Sequence, residues 1–492
     1  MTRLSAMAFL PVLLSLSTAM PAAAHSSASP GCEQALPTDG SQLPSTIAAV
    51  RLVRDWFDVI NTADEAAYLR FIKDRGPALF YDQEHWLELR DNLRGIQLCG
   101  VKSADAESVH LWTFDPNWDS YGIAQFKLGA TAADKIQFIF LQGTEAAPPG
   151  AAAPAKLAPP KLIEAVQARV ESRAASDQFS GAVLLAQRGR VLFQKAYGLA
   201  DRENRKPHTL DTQFRFGSMG KMFTAVAIIQ LVQGGKVDLK APIGRYLANY
   251  PNQDVATKVT VAHLLTHTGG TGDIFGPDFD ALKATLRSLK DYVGLYGSRA
   301  FDFTPGSRVS YSNYGFILLG RIVEEVSGLS YDDYIQRNIF EPTGMASTGN
   351  LPESMILSRR AVSYMGSGVR LKRADGTLPL SGTSAGGGYS TVGDFNRFVN
   401  GLTSHRLLRS ETFQQLIDGG IKTDDGQLVH FDFGGTMPGT GRYIGHGGGA
   451  PGMSGALYHF LKSDFTVIVL ANRDPGAAES IALFAAHRLP AD

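Results

Sequence analysis

Residues 46–61 place apolar positions at the spacing of an amphipathic helix. The apolar residues of this face are Ile47, Val50, Val53, Trp56, Phe57 and Ile60. Residues 96–141 instead contain short apolar runs, such as 109–112 and 136–140, which are typical of strands. We predict that helices come first in this part of the chain and that an antiparallel sheet follows.

A second pattern begins with a predicted helix over 161–174 and a strand pair, 181–187 and 191–198, around a short turn. The chain ends in the reverse order, with strands over 453–461 and 465–471 and a helix over about 477–489. Because both ends supply a helix and strands, we predict one antiparallel sheet with the terminal helices on one face and a mostly helical middle segment on the other. The predicted fold class is α+β.

The sharpest break in composition is the run EAAPPGAAAPAKLAPP at residues 145–160. Prolines and alanines in this proportion suit a semi-rigid, solvated spacer. We therefore predict a small α+β accessory domain over 25–144, a linker over 145–160 and a main domain over 161–492.

Composition limits the classes of function. The chain has 492 residues, 44% hydrophobic and 19% charged, which describes a globular protein and excludes a disordered chain or a coiled coil. Lys+Arg 47 balances Asp+Glu 47, so no overall field would attract nucleic acid. We expect a small-molecule or peptide substrate as the partner, and the oligomeric state stays open.

Residues 1–24 read as a secretory signal: Arg3 supplies the charge, 6–20 the apolar stretch and Ala22-Ala23-Ala24 a small-residue cleavage site. A membrane anchor is the alternative, but the apolar run is shorter than the roughly 20 residues that span a bilayer. No later segment is apolar enough to insert stably. We expect cleavage before His25 and a periplasmic or secreted location.

Cys32 and Cys99 are the only cysteines, and both follow the predicted signal. In an oxidising compartment we expect them to form a disulfide, with two buried free thiols as the alternative. Neither has a metal-ligand neighbour at suitable spacing, and the sequence has no HExxH motif. The sequence predicts no metal and no organic cofactor.

Candidate chemistry begins at Ser218-Met219-Gly220-Lys221, which opens a predicted helix over 219–233 that ends at Gly234-Gly235. A spacing of three residues puts Lys221 over Ser218, so the amine can reach the hydroxyl that it must deprotonate. The helix N-terminus also favours developing negative charge. The alternative is a capping serine with a solvated lysine.

Two later segments fit the same reaction. Tyr311-Ser312-Asn313 offers a phenol to relay a proton and an amide to hold substrate. His446-Gly447-Gly448-Gly449 precedes a predicted strand, and its glycines would let a substrate backbone approach. Taken alone, Tyr311 could be a half-buried aromatic residue and His446 a loop histidine.

These motifs resemble the class C β-lactamase and penicillin-binding-protein group of serine hydrolases, which includes secreted esterases and D-amino-acid peptidases. The resemblance covers about 162–489, and its most specific stretches are FRFGSMGKMFTA at 214–225, LLTHTGG at 264–270, FTPGSRVSYSNYGFILLGRIVEEVSGLSYDDYI at 303–335 and GHGGGAPGMSG at 445–455. More locally, DWFDVINTADEAAYLRFI resembles the opening helices of nuclear-transport-factor-like modules.

The resemblance implies a role for each motif residue. Ser218 would be the acylated nucleophile, and Lys221 and Tyr311 would share the acid and base work. Asn313 would orient Lys221 and the substrate. The backbone N–H groups of Ser218 and Gly449, beside Gly448, would form the oxyanion hole.

One departure from the family pattern affects the expected substrate. Where β-lactamases of this type carry Lys-Thr-Gly, this chain has His446-Gly447-Gly448, which replaces a fixed cation by an imidazole. We therefore expect an ester- or amide-cleaving hydrolase. A β-lactamase or D-alanyl peptidase, and a catalytically idle ligand-binding protein on the same scaffold, are the alternatives.

Two other residues invite a catalytic interpretation. Ser384 lies in Gly382-Thr383-Ser384-Ala385-Gly386, a GxSxG motif, but the next helix begins only near Thr391, whereas a nucleophile elbow needs a helix directly after it. We expect Ser384 to be a turn residue at the edge of the cleft. His267, in Thr266-His267-Thr268-Gly269-Gly270, is expected to tie loop backbone together near the cleft.

Overall fold

The computed structural model describes residues 47–62, 64–77, 83–104, 107–116, 118–129, 132–144, 154–352, 355 and 358–490. Two compact units divide the chain between Leu157 and Ala158. The predicted signal segment and Cys32 lie outside the described residues, so the signal and the disulfide with Cys99 stay predictions.

The amino-terminal unit consists of three helices followed by a four-stranded antiparallel sheet in the order β1-β2-β3-β4. The helices are α1 (Ile47–Asn61), α2 (Glu65–Arg75) and α3 (Gln83–Leu93). The strands are β1 (Gln97–Ala104), β2 (Ser108–Asp115), β3 (Ser120–Gly129) and β4 (Ala132–Thr144). Val53, Trp56 and Ile60 of α1 are fully buried, as the apolar spacing requires. The resemblance to nuclear-transport-factor-like modules stays a prediction.

The second unit holds the remaining elements. Its helices are α4 (Pro159–Ala175), α5 (Lys221–Gln233), α6 (Gln253–Lys258), α7 (Val261–Leu265), α8 (Pro277–Leu282), α9 (Leu289–Tyr296), α10 (Asn313–Ser327), α11 (Tyr331–Ile335), α12 (Glu341–Thr343), α13 (Val392–Thr403), α14 (Ser410–Asp418) and α15 (Ala477–His487). Short 3-10 helices cover Gly217–Gly220, Ile243–Arg245 and Gly368–Arg370, and a π-helix covers Gln336–Phe340.

The strands of this unit are numbered in the order in which they occur along the chain. They are β5 (Gly181–Gln187), β6 (Arg190–Tyr197), β7 (Leu199–Asp201), β8 (Lys206–Pro207), β9 (Phe214–Arg215), β10 (Tyr364–Met365), β11 (Lys372–Arg373), β12 (Tyr389–Ser390), β13 (Gly420–Lys422), β14 (Leu428–His430), β15 (Gly434–Met437), β16 (Gly441–Ala450), β17 (Met453–Phe460) and β18 (Phe465–Ala471).

Six of these strands form one antiparallel sheet in the order β15-β16-β17-β18-β5-β6. Leu184 of β5 pairs with Ile468 of β18, and both join the main hydrophobic core together with Phe395 of α13. The terminal helices α4 and α15 pack together, and α15 lies on β17 and β18. Val183, Leu184 and Leu185 are consecutive in β5 and all fully buried. Because successive residues of a strand point to opposite faces, both faces of the sheet are covered. The predicted α+β fold is confirmed.

The two hairpins form close to their predicted positions. Arg188 and Gly189 make the turn between β5 and β6, and both have left-handed backbone, with φ of 51° and 72°. That conformation suits a two-residue hairpin. Helix α4 begins at Pro159, two residues earlier than predicted, because proline is compatible with the first turn of a helix.

None of the helices among the described residues is long and apolar enough to cross a membrane. Nor do the His, Cys, Asp and Glu side chains of these residues form a group of three or more that could hold a metal ion.

Candidate active site

Ser218 lies in the 3-10 helix Gly217–Gly220, immediately before α5. The sequence predicted an α-helix from Met219, but regular α-helix starts at Lys221. Helix α5 is buried along nearly its whole length because apolar residues cover all of its faces. The turn that carries Ser218 is therefore anchored in the main core.

Lys221 is fully buried, and its ammonium group contacts three oxygen atoms. Nζ lies 3.2 Å from Ser218 Oγ, 2.7 Å from Asn313 Oδ1 and 2.8 Å from the carbonyl oxygen of Ala385. Burial lowers the pKa of Lys221 to about 8, although the charges of Asp432 and Asp273 oppose this shift. Near that pH a large fraction of the amine is neutral and able to accept a proton.

Tyr311 completes the contacts of the serine hydroxyl. Its Oη lies 2.8 Å from Ser218 Oγ, and its ring centroid lies 4.7 Å from Lys221 Nζ. Although Tyr311 is 44% exposed as a whole, desolvation of its phenol group and the negative charge of Asp432 raise its pKa well above the usual value, against a smaller effect of the Ser218 hydrogen bond. The phenol therefore stays protonated and donates its hydrogen bond to Ser218.

Asn313 is the first residue of α10, which Ser312 caps by accepting the backbone N–H of Gly315 at 2.9 Å. The amide of Asn313 accepts from Lys221 and donates to both carboxylate oxygens of Asp273 at 3.1 Å. These contacts fix which way the amide points. Sequence reasoning missed Asp273, because it is a single acid in a loop without a recognisable pattern.

The segment from His446 to Gly449 lies inside β16, not before a strand as the sequence predicted. Its glycines are weak strand formers, so the signal was poor, and pairing with β17 supplies the order. A Cβ at Gly448 would lie 2.1 Å from the carbonyl oxygen of Phe216. One at Gly217 would lie 3.2 Å from the backbone nitrogen of Gly449. This strand therefore packs directly against the turn of Ser218.

His267 and His446 share one carboxylate, that of Asp432. Their Nε2 atoms lie 2.9 and 2.8 Å from the same Oδ2 atom. Burial opposes ionisation of Asp432, but the two imidazoles outweigh it and hold the pKa of the carboxyl well below its usual range. His267 also accepts the backbone N–H of Ser312 at Nδ1, at 3.0 Å, so it ties the loop as expected. Sequence reasoning missed Asp432, which is 165 positions from His267.

Ser384 is not at the edge of the cleft as predicted but fully buried. Its hydroxyl has no hydrogen-bond partner among the described residues, and a Cβ added at Gly320 of α10 would lie 2.3 Å from it. A substrate cannot reach this hydroxyl. The contribution of the GxSxG segment is instead the carbonyl oxygen of Ala385, which contacts Lys221.

Comparison with known proteins agrees with this fold. A family model described as Beta-lactamase matches residues 165–491. The chain belongs to the β-lactamase family. The matched region contains the turn of Ser218, the Tyr311 loop and β16.

Relatives within the β-lactamase family carry several kinds of name. A penicillin-binding protein of Bacillus subtilis is 28% identical over 330 residues, 63% of this chain and 71% of that protein. Esterase EstB of Burkholderia gladioli is 34% identical over 183 residues, 34% of this chain and 46% of that protein. The crystal structure of a penicillin-binding protein from Bacillus halodurans is 31% identical and matches with a TM-score of 0.56, covering 66% of this chain and 98% of that one. Relatives named as an esterase and a D-aminopeptidase are hydrolases, and this is a family of serine hydrolases.

Proposed function

We propose that the protein cleaves an ester or amide bond through an acyl-enzyme on Ser218. The observation that supports this most strongly is the position of the hydroxyl between Lys221 Nζ at 3.2 Å and Tyr311 Oη at 2.8 Å. A serine becomes a nucleophile when a neighbouring base takes its proton, and a buried amine with a lowered pKa is such a base.

In the proposed acylation step, Lys221 and Tyr311 each exchange a proton and return to their starting states. Neutral Lys221 accepts the proton of Ser218 while Oγ bonds to the substrate carbonyl carbon. The backbone N–H groups of Ser218 and Gly449 stabilise the resulting oxyanion. As the intermediate collapses, the leaving alcohol or amine takes a proton from Tyr311, and the Lys221 ammonium then returns a proton to the phenolate.

Deacylation repeats these steps with water in place of the serine hydroxyl. Lys221 accepts a proton from the attacking water, and the same N–H groups hold the second oxyanion. Ser218 leaves with a proton from Tyr311, and the free acid is released. Asn313, held by Lys221 and Asp273, would orient both the amine and the substrate.

The surroundings of His446 favour ester or amide substrates over β-lactams. A β-lactam carries a carboxylate, which the lysine of Lys-Thr-Gly would attract in the enzymes that this chain resembles. Here Nε2 of His446 lies 2.8 Å from Asp432, so a substrate carboxylate would meet an imidazole backed by the carboxylate of Asp432. We expect weak binding of such substrates.

A β-lactamase or D-alanyl peptidase is the second candidate, because relatives of both sequence and structure are penicillin-binding proteins. Nitrocefin turnover compared with turnover of a p-nitrophenyl ester decides between the two. We expect much slower nitrocefin turnover, and comparable rates would favour the second candidate. His446→Lys should increase the relative rate on nitrocefin if the missing cation causes the difference.

The decisive experiment is trapping of the acyl-enzyme. We expect a burst of p-nitrophenol from a p-nitrophenyl ester, and a mass increase of the acyl group on Ser218 after acid quenching. Ser218→Ala should lose burst and label, whereas Ser384→Ala should keep both. A label on Ser384, or on no serine, would contradict the proposal, and ligand binding without turnover would support an idle scaffold.

We also propose that the protein acts in the periplasm or outside the cell. Support comes from the charge of Arg3, the apolar stretch at 6–20 and the alanines before His25. Amino-terminal sequencing of the protein recovered from the periplasm or medium should begin at His25. An uncleaved cytoplasmic product would contradict this location.

A further inference from the structure

We propose that Asp432 is a positioning residue of the active site, because one of its carboxylate oxygens holds His267 and His446 at the same time. His267 supports the loop that carries Tyr311. His446 belongs to the glycine strand, the segment 446–449 of β16, which lies beside Ser218. Asp432 therefore links the two sides of the cleft. This inference rests on the proposed function, since it concerns the alignment of Tyr311, Lys221 and the glycine strand.

The hydrogen bonds of His267 define which of its ring nitrogens accepts and which donates. A backbone N–H can only donate, so Nδ1 of His267 must be the unprotonated nitrogen that accepts from Ser312 at 3.0 Å. Nε2 then carries the hydrogen and donates it to Asp432. Both ring nitrogens therefore have hydrogen-bond partners.

His267 also contacts Tyr311, and in this way it helps to position the loop that carries Tyr311. Its ring centroid lies 4.4 Å from that of Tyr311, with an angle of 31° between the rings. Its backbone has φ of 55°, a left-handed conformation that is unfavourable for a residue with a side chain. The hydrogen bonds to Asp432 and Ser312 offset that cost and hold the loop just before Asn313.

The backbone around Asp432 joins the same two sides. Its N–H donates to the carbonyl oxygen of Leu265, the last residue of α7, at 2.9 Å. The next residue, Phe433, accepts the N–H of Gly445 in β16 at 3.1 Å. These backbone hydrogen bonds fix the position of Asp432. Its carboxylate can therefore hold both histidine side chains in place.

The carboxylate also acts on the reacting groups through its charge. The ionisable groups that face Lys221 are Tyr311, Asp432 and Asp273, and those that face Asp432 are His267 and His446. The negative charge of Asp432 raises the pKa of Lys221 and that of Tyr311. Loss of this charge should therefore lower the pKa of Lys221, so that the amine becomes neutral at lower pH.

Two substitutions distinguish the effect of the negative charge of Asp432 from the effect of its hydrogen bonds to the histidines. Because both histidines use Oδ2, Asp432→Asn can keep both hydrogen bonds with its carbonyl oxygen while the charge is lost. Asp432→Ala removes both. The assay is hydrolysis of p-nitrophenyl acetate by the full chain, with kcat and KM measured from pH 6 to 10, and a melting curve for each variant.

For Asp432→Asn we expect the rising limb of kcat/KM to move to lower pH by about half a unit or more. For Asp432→Ala we expect kcat to fall roughly 10- to 100-fold with a smaller change in KM, since the reacting groups lose their alignment. Asp464→Asn is the matched control, because Asp464 also faces a histidine, His459 at 3.9 Å, in the hairpin between β17 and β18. It should leave the pH profile unchanged.

A folded Asp432→Ala that keeps the wild-type kcat and KM overturns the positioning role, and an Asp432→Asn profile that superimposes on the wild-type profile overturns the effect of the charge. If Asp432→Ala fails to fold, the asparagine variant alone decides. Trapping of the wild-type acyl-enzyme separates the two proposals. If Ser218 is labelled but neither Asp432 variant changes the kinetics, only the role of Asp432 fails, and if Ser218 is not labelled the proposed function fails.

Discussion

The phenol oxygen of Tyr311 lies 2.8 Å from Oγ of Ser218, although the two residues are 93 positions apart in the chain. The pKa of this phenol is raised by desolvation of its hydroxyl and by Asp432, whereas full burial lowers the pKa of Lys221 to about 8. The environment thus separates two groups whose usual pKa values are close together. This separation favours Lys221 as the base and Tyr311 as the acid.

The pH dependence of ester hydrolysis should report the pKa of Lys221. Below about pH 8 the ammonium form prevails and cannot accept a proton, and above it the neutral amine prevails, so kcat/KM should rise with pH to a half-maximum near 8. Lys221→Arg should abolish this limb and most of the activity, because a guanidinium keeps its proton. A pH profile flat between 7 and 9 would contradict the assignment.

Tyr311→Phe tests the phenol oxygen separately from the ring. The phenyl ring can still pack on His267 and Lys221, so the melting temperature should change little. Loss of the proton donor should lower kcat by about 10²- to 10⁴-fold. Steady-state kinetics with an ester that has a poor leaving group would show this effect best, since a good leaving group such as p-nitrophenol needs less protonation.

Gly448→Ala should impair both stability and activity. The added methyl would lie 2.1 Å from the carbonyl oxygen of Phe216, so β16 or the serine turn must shift, at a cost of about 2 to 3 kcal/mol. A shift of this kind would also move Ser218, and we expect at least a tenfold loss of kcat.

Gly447→Ala in the same strand is the control for stability. The nearest atom to its methyl, Gly455 O, is 3.9 Å away, so its free energy of unfolding should change by less than about 0.5 kcal/mol. Thermal or urea unfolding of both variants measures the contrast. Equal destabilisation of the two would mean that the close approach at Gly448 is not the cause.

Ser384→Ala should be neutral or stabilising, by up to about 1 kcal/mol, because the substitution removes a buried hydroxyl with no hydrogen-bond partner among the described residues. Its kcat should stay within about twofold of the wild-type value. Ser363→Ala, at another buried serine, is a useful comparison in the same unfolding assay. Loss of ester hydrolysis in Ser384→Ala with an unchanged melting curve would revive the GxSxG interpretation.

The sequence predicted the parts of the site that depend on local spacing. Ser218 and Lys221 are one turn apart, so helical geometry alone brings them together, and the structure shows the contact. Tyr311 and Asn313 were predicted as site residues from the order of the motifs along the chain. Their distance from Ser218 depends on how α10 packs on α5, which periodicity does not encode.

The acids that surround the site could not be predicted. Asp273 and Asp432 are single carboxylates in loops, and only the fold places them near Asn313 and the two histidines. The strand around His446 was missed for a related reason. Three glycines carry no strand preference, and the pairing with β17 decides their conformation.

Gly448 lies so close to Phe216 that no side chain fits between them. This close approach limits how related enzymes can differ in substrate selectivity. A side chain at position 448 would overlap the backbone carbonyl oxygen of Phe216, so backbone atoms set the spacing between β16 and the turn of Ser218. Adaptation to new acyl or leaving groups must therefore draw on the peripheral loops, whose lengths and side chains vary without disturbing the chemical centre.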